Sequence, residues 1–126
     1  MAVISGESMA PTIGDGELIF VNKLNYQFGK PKPGDVVMID RGKEKLVKRV
    51  VAVGGDEVWT GGGYLYRNGE RITEPYVKEL MRVGVKRVKI PTDYVYVMGD
   101  NRNYSEDSRN FGPIPVSQIK GELMVK

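Results

Sequence analysis

Two side chains of this sequence, Ser8 and Lys48, could together perform hydrolytic chemistry, and the absence of other residue types makes the pair informative. The 126 residues contain no His and no Cys, so the chain can form neither a Ser-His-Asp triad nor a thiol nucleophile. A nucleophilic serine then needs a different general base, and the alternative is a lysine whose amine is neutral near the working pH. The sequence therefore suggests a hydrolase that uses a Ser/Lys pair.

Lys48 lies in an apolar stretch that is predicted to be a strand, Leu46-Val47-Lys48-Arg49-Val50-Val51-Ala52-Val53. Successive side chains of a strand point to opposite faces. One face then carries Leu46, Lys48, Val50 and Ala52, and Arg49 lies on the other. Burial among apolar neighbours lowers the pKa of a lysine, and a mostly neutral amine near pH 8 needs a fall of roughly 2–3 units. The alternative is a lysine whose stem packs on apolar surface while its ammonium reaches water.

Two other segments are rich in polar or turn-forming residues. Ser8 lies in the run Ser5-Gly6-Glu7-Ser8-Met9-Ala10-Pro11-Thr12, and the nearby Pro11 and Gly14 favour a bent backbone that would expose a nucleophile. The second segment, 98–113, is dense in Asp, Asn, Arg and Ser and is bounded by glycines. Taken alone, Ser8 is equally well interpreted as a turn or cap residue, and segment 98–113 as a polar surface loop.

Composition places the chain among globular proteins with one domain. Hydrophobic residues make up 40% and charged residues 28%, and a chain of this length buries a core without disulfides. The absence of cysteine therefore does not identify the compartment. The net charge is +3, with positive residues concentrated in 41–49 and 78–89. These stretches are either solvated faces or contacts for anionic lipid headgroups or phosphates.

The pattern along the chain predicts an all-β protein, mainly antiparallel. Short runs of β-branched and aromatic residues alternate with Gly, Pro, Asp and Asn. The predicted strands are 17–22, 35–40, 45–53, 64–67, 71–73, 87–90, 94–98 and 122–125. Asn68-Gly69 favours a type I′ hairpin turn, and only 116–119 is expected to form a helical turn. Many short strands with so little helix favour a Greek-key or barrel-like core.

Segment 57–89 differs from the rest of the chain. It contains Gly61-Gly62-Gly63, the predicted hairpin and a charged stretch with little apolar periodicity. We therefore predict a catalytic β core made of residues 1–56 and 90–126, with 57–89 as a small inserted β region.

Several short motifs occur in a fixed order along the chain. They are Ser8-Met9-Ala10-Pro11-Thr12, Gly14-Asp15-Gly16, Lys48-Arg49-Val50, Gly54-Gly55-Asp56 and Gly99-Asp100-Asn101-Arg102, followed by Ser105, Asp107-Ser108-Arg109 and Gly112. Together they resemble bacterial type I signal peptidase, the membrane-anchored serine protease that removes signal peptides from exported proteins. The resemblance spans residues 6–113. It implies a β-rich core with an inserted second β region, and the short insertion resembles the Gram-positive members.

The resemblance also implies roles for individual residues. Ser8 would be the nucleophile, Lys48 the general base, and Ser105 would hold the Lys48 amine by a hydrogen bond. Supporting ion pairs would join Asp107 with Arg109 and Arg49 with Asp100. Some members carry a serine as an oxyanion donor where this chain has Gly6, so the Ser8 N–H would hold the oxyanion, helped by Ser5 or water.

The implied substrate is an extended preprotein segment with small residues, typically Ala-X-Ala, before the cut. It would add as a strand between the segment before Ser8 and the one before Lys48. The side chains expected to line its shallow pockets are Ile4, Met9, Ile13, Leu46 and Val47. No cofactor or metal is implied, and a monomer is expected.

No apolar run approaches the roughly 18–20 residues of a membrane span, so an anchor would have to precede Met1. The resemblance places the catalytic domain at the cell membrane on the extracytoplasmic side. An exposed apolar surface near Ser8, including Met9, Ile13 and nearby aromatics, would then contact lipid.

Two other functions were weighed against this hypothesis. A self-cleaving repressor domain shares a Ser/Lys dyad, but the sequence lacks an internal Ala-Gly or Cys-Gly scissile pair and carries the Gly-Asp-Asn-Arg motif. A basic β-barrel that binds nucleic acid would need aromatic residues interleaved with the basic runs. The eleven aromatic residues of the chain are not arranged in that way, so no nucleic-acid partner is expected.

Overall fold

The computed structural model describes residues 2–3, 6–22, 30–42 and 44–124, and these residues are organised almost entirely as antiparallel strands. The strands are β1 (Ala2–Val3), β2 (Leu18–Ile19), β3 (Val21–Asn22), β4 (Val36–Asp40), β5 (Lys45–Val53), β6 (Glu57–Gly61), β7 (Tyr64–Arg67), β8 (Glu70–Arg71), β9 (Val88–Lys89), β10 (Tyr94–Met98), β11 (Ile114–Pro115) and β12 (Ile119–Leu123). A short helix, α1 (Ser108–Phe111), and two 3₁₀ helices, Arg102–Tyr104 and Val116–Gln118, complete the elements. The prediction of an all-β fold is confirmed.

The largest sheet has six strands in the order β11-β10-β5-β4-β12-β3, and β5 lies near its centre. Residues 45–49 of β5 pair with β4, whereas β10 pairs with β5 only from Arg49 to Val53. Within the described strands, the backbone of residues 45–48 is therefore paired on the β4 side alone. This leaves a free strand edge directly before and at Lys48.

The second sheet has four strands in the order β8-β7-β6-β9, and all of them lie within residues 57–89. The chain leaves the large sheet after β5 and returns to it as β10, which pairs with β5. The hairpin between β7 and β8 turns at Asn68 and Gly69, with φ values of 53° and 89°. Both are left-handed, as a type I′ turn requires, and this prediction is confirmed.

Several predicted boundaries differ from the structure. The predicted strand 17–22 is two short strands, β2 and β3, and strand 71–73 is instead β8 at Glu70–Arg71. The predicted strands do not include β6 or β11. The predicted strand 122–125 begins earlier, at Ile119, because β12 pairs along β4 through a register shift between Ile119 and Gly121. The helical turn predicted near residue 116 is present as a 3₁₀ helix.

The face assignment along β5 holds up to Val50 and fails at Ala52. Val50 packs in a cluster with Val37, Ile39, Val95, Val97 and partly buried Leu46 and Val53. Ala52 packs instead with Val51, Tyr96 and Met98. The cause is a β-bulge, because Ala52 pairs with Tyr96 and Val50 pairs with Val97. The extra residue, Val51, moves the following side chains to the opposite face.

None of the helices in the described part of the chain is long and apolar enough to span a bilayer.

Candidate active site

Lys48 is buried, with only 4% of its surface exposed. It lies opposite Val37 across the β4–β5 ladder, and Val37 belongs to the same apolar cluster as Val50. Its amine Nζ donates to Ser105 Oγ at 3.2 Å. Burial lowers the pKa of Lys48 below the usual 10.5, and the negative charge of Asp107 opposes this fall in part. The structure therefore favours the desolvated lysine over a lysine whose ammonium reaches solvent.

Ser105 is fixed by hydrogen bonds on several sides. Its hydroxyl donates to Asp107 Oδ2 at 2.7 Å and accepts from the Lys48 amine and from the Gly99 N–H, the latter at 3.2 Å. Since the single hydroxyl proton is directed at Asp107, the oxygen lone pairs face the lysine. Ser105 thus presents an acceptor to the amine.

Asp107 and Arg109 form a bidentate ion pair although they are two residues apart. Arg109 Nε donates to Asp107 Oδ1 and Nη2 donates to Oδ2, both at 2.9 Å. The bend that brings them together is the start of α1, where Asp107 is the N-cap and also accepts from the Arg109 N–H. Burial alone would raise the pKa of Asp107, but Arg109, the Gly99 N–H and Ser105 together lower it. Asp107 is therefore a stable anion beneath Ser105.

Arg49 and Asp100 form the second ion pair. Arg49 Nε and Nη2 donate to the two oxygens of Asp100 at 2.9 and 2.8 Å, and both side chains are buried. Asp100 also accepts from the hydroxyl of Thr12 at 2.5 Å. One carboxylate thus joins the strand that carries Lys48 to the loop that follows Ser8.

The loop around Ser8 is held against residues 99–101. The Asn101 N–H donates to the Ser8 carbonyl at 2.8 Å, and Asn101 Nδ2 donates to the Glu7 carbonyl at 3.0 Å. Gly99 lies between the two serines: a Cβ there would lie 2.5 Å from the Ser8 carbonyl oxygen and closer still to Ser105 Oγ. Only glycine allows this approach, and it brings the backbone of Ser8 next to the residue that contacts Lys48.

The half-buried Ser8 hydroxyl has no hydrogen-bond partner among the described residues. No hydrogen bond therefore joins it to the Lys48 amine, whose partner in the described residues is Ser105. The Ser8 N–H also has no acceptor in the described part of the chain. It is consequently a donor that could take a bound group as partner.

Gly6 is exposed and has φ of 89°, which lies in the left-handed region where a serine would be strained. Its N–H donates to Asp15 Oδ1 at 2.8 Å. The chain therefore places no side-chain oxyanion donor at this position. Ser5, the other donor considered, lies outside the described residues.

The side chains expected to line substrate pockets differ in accessibility. Met9 and Ile13 are 1% and 0% exposed and pack with Ile19, Val36 and Leu123. Their burial leaves no surface for a substrate or for lipid, so the structure does not support the lining role or the exposed patch expected for these two. Leu46 and Val47 are half-buried and remain accessible. Ile4 lies outside the described residues.

Sequence reasoning missed a second layer of the site, formed by Arg102, Glu74 and Tyr76. Arg102 is 3% exposed, donates through Nε to the Gly99 carbonyl at 2.7 Å, and makes two hydrogen bonds to Glu74, at 3.0 and 2.7 Å. The Tyr76 hydroxyl donates to Glu74 at 3.1 Å, and its ring lies 3.7 Å beneath the Arg49 guanidinium. Burial and the adjacent Glu74 raise the pKa of Tyr76. Arg102 stood in a recognised motif, but no sequence signal links it to a carboxylate 28 positions away.

The whole chain, residues 1–126, matches the family described as "Signal peptidase, peptidase S26". Similar curated proteins include signal peptidase I of Bacillus licheniformis, 43% identical over 94% of this chain and 71% of its own. Signal peptidase IB of Staphylococcus aureus is 39% identical over 95% and 73%. Among solved structures, a signal peptidase I from Enterococcus faecalis superposes with a TM-score of 0.63 at 25% identity, covering 76% of this chain and 98% of that one.

These matches agree with the site geometry, in which a buried lysine and a serine loop are held by one polar motif. They favour the signal peptidase hypothesis over the self-cleaving repressor and the nucleic-acid-binding barrel. A match along the entire chain, with relatives well above 30% identity, shows that the chain belongs to the signal peptidase family, peptidase family S26, and is a serine peptidase.

Proposed function

We propose that this signal peptidase cleaves preproteins with Ser8 as nucleophile and Lys48 as general base. The observation that carries the proposal is the buried Lys48 amine, whose pKa is lowered by desolvation and which donates to Ser105. A neutral amine can accept the proton of a serine hydroxyl, whereas an ammonium cannot. The Ser8 carbonyl and Ser105 Oγ both approach Gly99 closely, and Ser105 accepts from Lys48, which supports the pairing of Ser8 with Lys48.

The proposed reaction is described by which group holds the proton at each step. Lys48 takes the Ser8 proton as Ser8 Oγ attacks the scissile carbonyl, and the Ser8 N–H donates to the resulting oxyanion. The protonated Lys48 returns the proton to the departing amine, which leaves an ester on Ser8. Lys48, neutral again, removes a proton from water as the water oxygen attacks the ester. The Ser8 Oγ–acyl bond then breaks, Lys48 returns the proton to Ser8 Oγ, and the acid is released with both residues restored.

The free edge of β5 at residues 45–48 supports binding of an extended substrate. Unpaired backbone groups at a strand edge add a peptide as a further strand, and alternate side chains of that peptide enter pockets. Leu46 and Val47 lie on this edge and are half-buried, so part of each side chain can contact the small residues that the family resemblance implies. We therefore assign a preference for Ala-X-Ala segments to this edge.

A further part of the proposal concerns how the chain divides. Residues 1–56 and 90–126 would form the catalytic core, and 57–89 the inserted region. Ser8, Lys48 and Ser105 all belong to the first set. The four-stranded sheet belongs to the second, although both contribute to the apolar cluster of Val51, Val58, Leu65 and Tyr96.

Contact with a lipid surface, on the extracytoplasmic side, is the last part of the proposal. Leu18, Phe20 and Met124 are 60%, 66% and 58% exposed, and the Met124 N–H donates to the Phe20 carbonyl. We assign the lipid contact to these three exposed apolar side chains, of which Phe20 and Met124 lie on backbone segments joined by that hydrogen bond. Met9 and Ile13 are not part of it.

Cleavage of an Ala-X-Ala peptide tests the catalytic proposal. Ser8→Ala should reduce the rate to below about one hundredth of wild type, because removal of a nucleophile normally costs far more. Ser117→Ala is a matched control, since Ser117 is exposed. A Ser8→Ala protein that is folded and retains more activity than this would overturn the assignment.

Co-sedimentation with vesicles of zwitterionic and anionic lipid tests the surface. The double variant Leu18→Ser/Phe20→Ser should lose binding at low salt. Val83→Ser, which changes a side chain as exposed as Phe20, should keep it. Equal binding by all three proteins would contradict the assignment.

A further inference from the structure

The inserted region contributes buried polar side chains to the catalytic motif. Glu74 and Tyr76 lie in the segment between β8 and β9, outside the large sheet that carries Lys48. Glu74 pairs with Arg102, and both side chains are almost fully buried, 8% and 0% exposed. A buried ion pair with two parallel hydrogen bonds defines one geometry for the guanidinium. Glu74 therefore fixes where Arg102 points.

Arg102 makes a third hydrogen bond, to the backbone of the motif. Its Nε donates to the Gly99 carbonyl at 2.7 Å. The Gly99 N–H donates to Ser105 Oγ and to Asp107 Oδ2. The backbone at Gly99 is thus held through its carbonyl by Arg102 and through its N–H by the two side chains that support Lys48.

A displacement of Gly99 would affect the positions of both Ser8 and Lys48. A Cβ on this residue would collide with the Ser8 carbonyl oxygen and with Ser105, so these atoms already lie in contact with Gly99. If Gly99 shifts, the Ser8 backbone and the hydroxyl that contacts the Lys48 amine shift with it.

Tyr76 adds a second connection between the same segment and the site. Its hydroxyl donates to Glu74, and its ring stacks beneath Arg49, the neighbour of Lys48 on β5. Arg49 is itself paired with Asp100. The inserted region therefore contacts the site at two arginines: Glu74 contacts Arg102, and Tyr76 contacts Arg49.

We propose that Glu74, supported by Tyr76, is a positioning residue for catalysis, which acts through Arg102 and the Gly99 backbone on the alignment of Ser8 with Lys48. The inference rests on the proposed Ser8/Lys48 mechanism. It adds that Glu74 and Tyr76 of the inserted region act on the rate of the chemical step and not on substrate binding, since neither residue lies on the free edge of β5.

Steady-state cleavage of an Ala-X-Ala peptide by the full chain tests this. Glu74→Gln should lower kcat about 10- to 100-fold, because small misplacements of reacting groups have effects of that size, while KM stays within about twofold. Tyr76→Phe, which keeps the ring under Arg49, should lower kcat less. Glu57→Gln is the matched control, since Glu57 pairs with Arg87 in the same inserted region but at the surface, and its kcat should equal that of wild type.

Two comparisons separate positioning from a general structural role. In an Arg102→Gln background, Glu74→Gln should cause no further loss of kcat, because its effect passes through Arg102. Additive losses, or a kcat within twofold of wild type in folded Glu74→Gln protein, would overturn the proposal. If Glu74→Gln does not fold, Tyr76→Phe decides: an unchanged kcat overturns the proposal, and a lower kcat at unchanged KM supports it. Wild type and Ser8→Ala are measured in parallel. Activity in folded Ser8→Ala would show that the Ser8 mechanism fails, whatever the result for Glu74.

Discussion

The catalytic motif and the inserted sheet use charged residues in opposite ways. In the motif, Asp100, Arg102 and Asp107 are 1%, 3% and 0% exposed, and each is in an ion pair. In the inserted sheet, the ion pair of Arg87 with Glu57 is solvent-exposed, and apolar residues such as Val58 and Leu65 form the interior. An exposed pair contributes about 0–1 kcal/mol, whereas breaking a buried one costs about 3–5 kcal/mol. An ion pair between an arginine and a carboxylate therefore fixes the positions of its partners in the motif. In the inserted sheet such a pair contributes almost nothing to the free energy of unfolding.

The largest effect on activity is expected from a change of Lys48, the buried lysine that contacts the motif. Lys48→Arg keeps the positive charge, but a guanidinium does not lose its proton at any accessible pH. We expect cleavage to fall by more than about a thousandfold while the fold is retained, as measured by peptide cleavage and circular dichroism. Substantial activity in this variant would exclude Lys48 as the base.

Asp107→Asn removes the negative charge of the carboxylate that is least exposed in the motif. It removes the anion that accepts from Gly99, Ser105 and Arg109, and it leaves the Arg109 guanidinium without its counter-ion. We expect a loss of about 3–5 kcal/mol in the free energy of unfolding and at least a hundredfold loss of activity. Urea unfolding of the variant measures the first effect. A loss below 1 kcal/mol would show that the buried pair is no more important than the exposed one.

Ser105→Ala removes a hydrogen bond of the site without changing any charge. The variant loses the oxygen that accepts from Lys48 and keeps the ion pair of Asp107 with Arg109. We expect turnover to fall roughly 10- to 1000-fold, because the amine loses its orientation but not its basicity. Peptide cleavage at a pH where Lys48 is mostly neutral measures it, and an unchanged rate would remove Ser105 from the site.

The pH dependence of cleavage should be a smaller, graded effect. Only neutral Lys48 acts as a base, so the rate should rise about tenfold per pH unit and level off above an apparent pKa lower than 10.5. Glu44 is exposed and its charge raises the pKa of Lys48, so Glu44→Gln should move the midpoint slightly downward. A flat rate from pH 6 to 10 with chemistry rate-limiting would contradict the assignment.

The smallest effect is expected for the exposed pair. Arg87→Gln should change the free energy of unfolding by less than about 1 kcal/mol, and less at high salt, because solvent and ions screen this contact. Urea unfolding at two salt concentrations measures it. A loss in the free energy of unfolding as large as that of Asp107→Asn would show that exposed and buried ion pairs contribute equally to stability.

The sequence predicted the parts of the molecule that depend on local patterns. Alternating apolar residues located β4, β5 and β10, and Asn68-Gly69 located the hairpin turn. The bulge that reverses Ala52 could not be predicted, because it depends on how β10 pairs with β5. The burial of Met9 and Ile13 depends on packing against Val36 and Leu123. Likewise, no periodicity marks Glu74, whose partner is brought near by the path of the chain.

The contact of the Ser8 loop with residues 99–101 has a consequence for the order of events during synthesis. The hydrogen bonds that fix Glu7, Ser8 and Met9 come from residues more than 90 positions later. A growing chain that ends before Gly99 already carries Ser8 but lacks Ser105, Asp107 and the backbone that contacts both serines. The site can therefore be completed only after synthesis has passed Arg109, because Gly99, Ser105 and the ion pair of Asp107 with Arg109 are all needed to hold it.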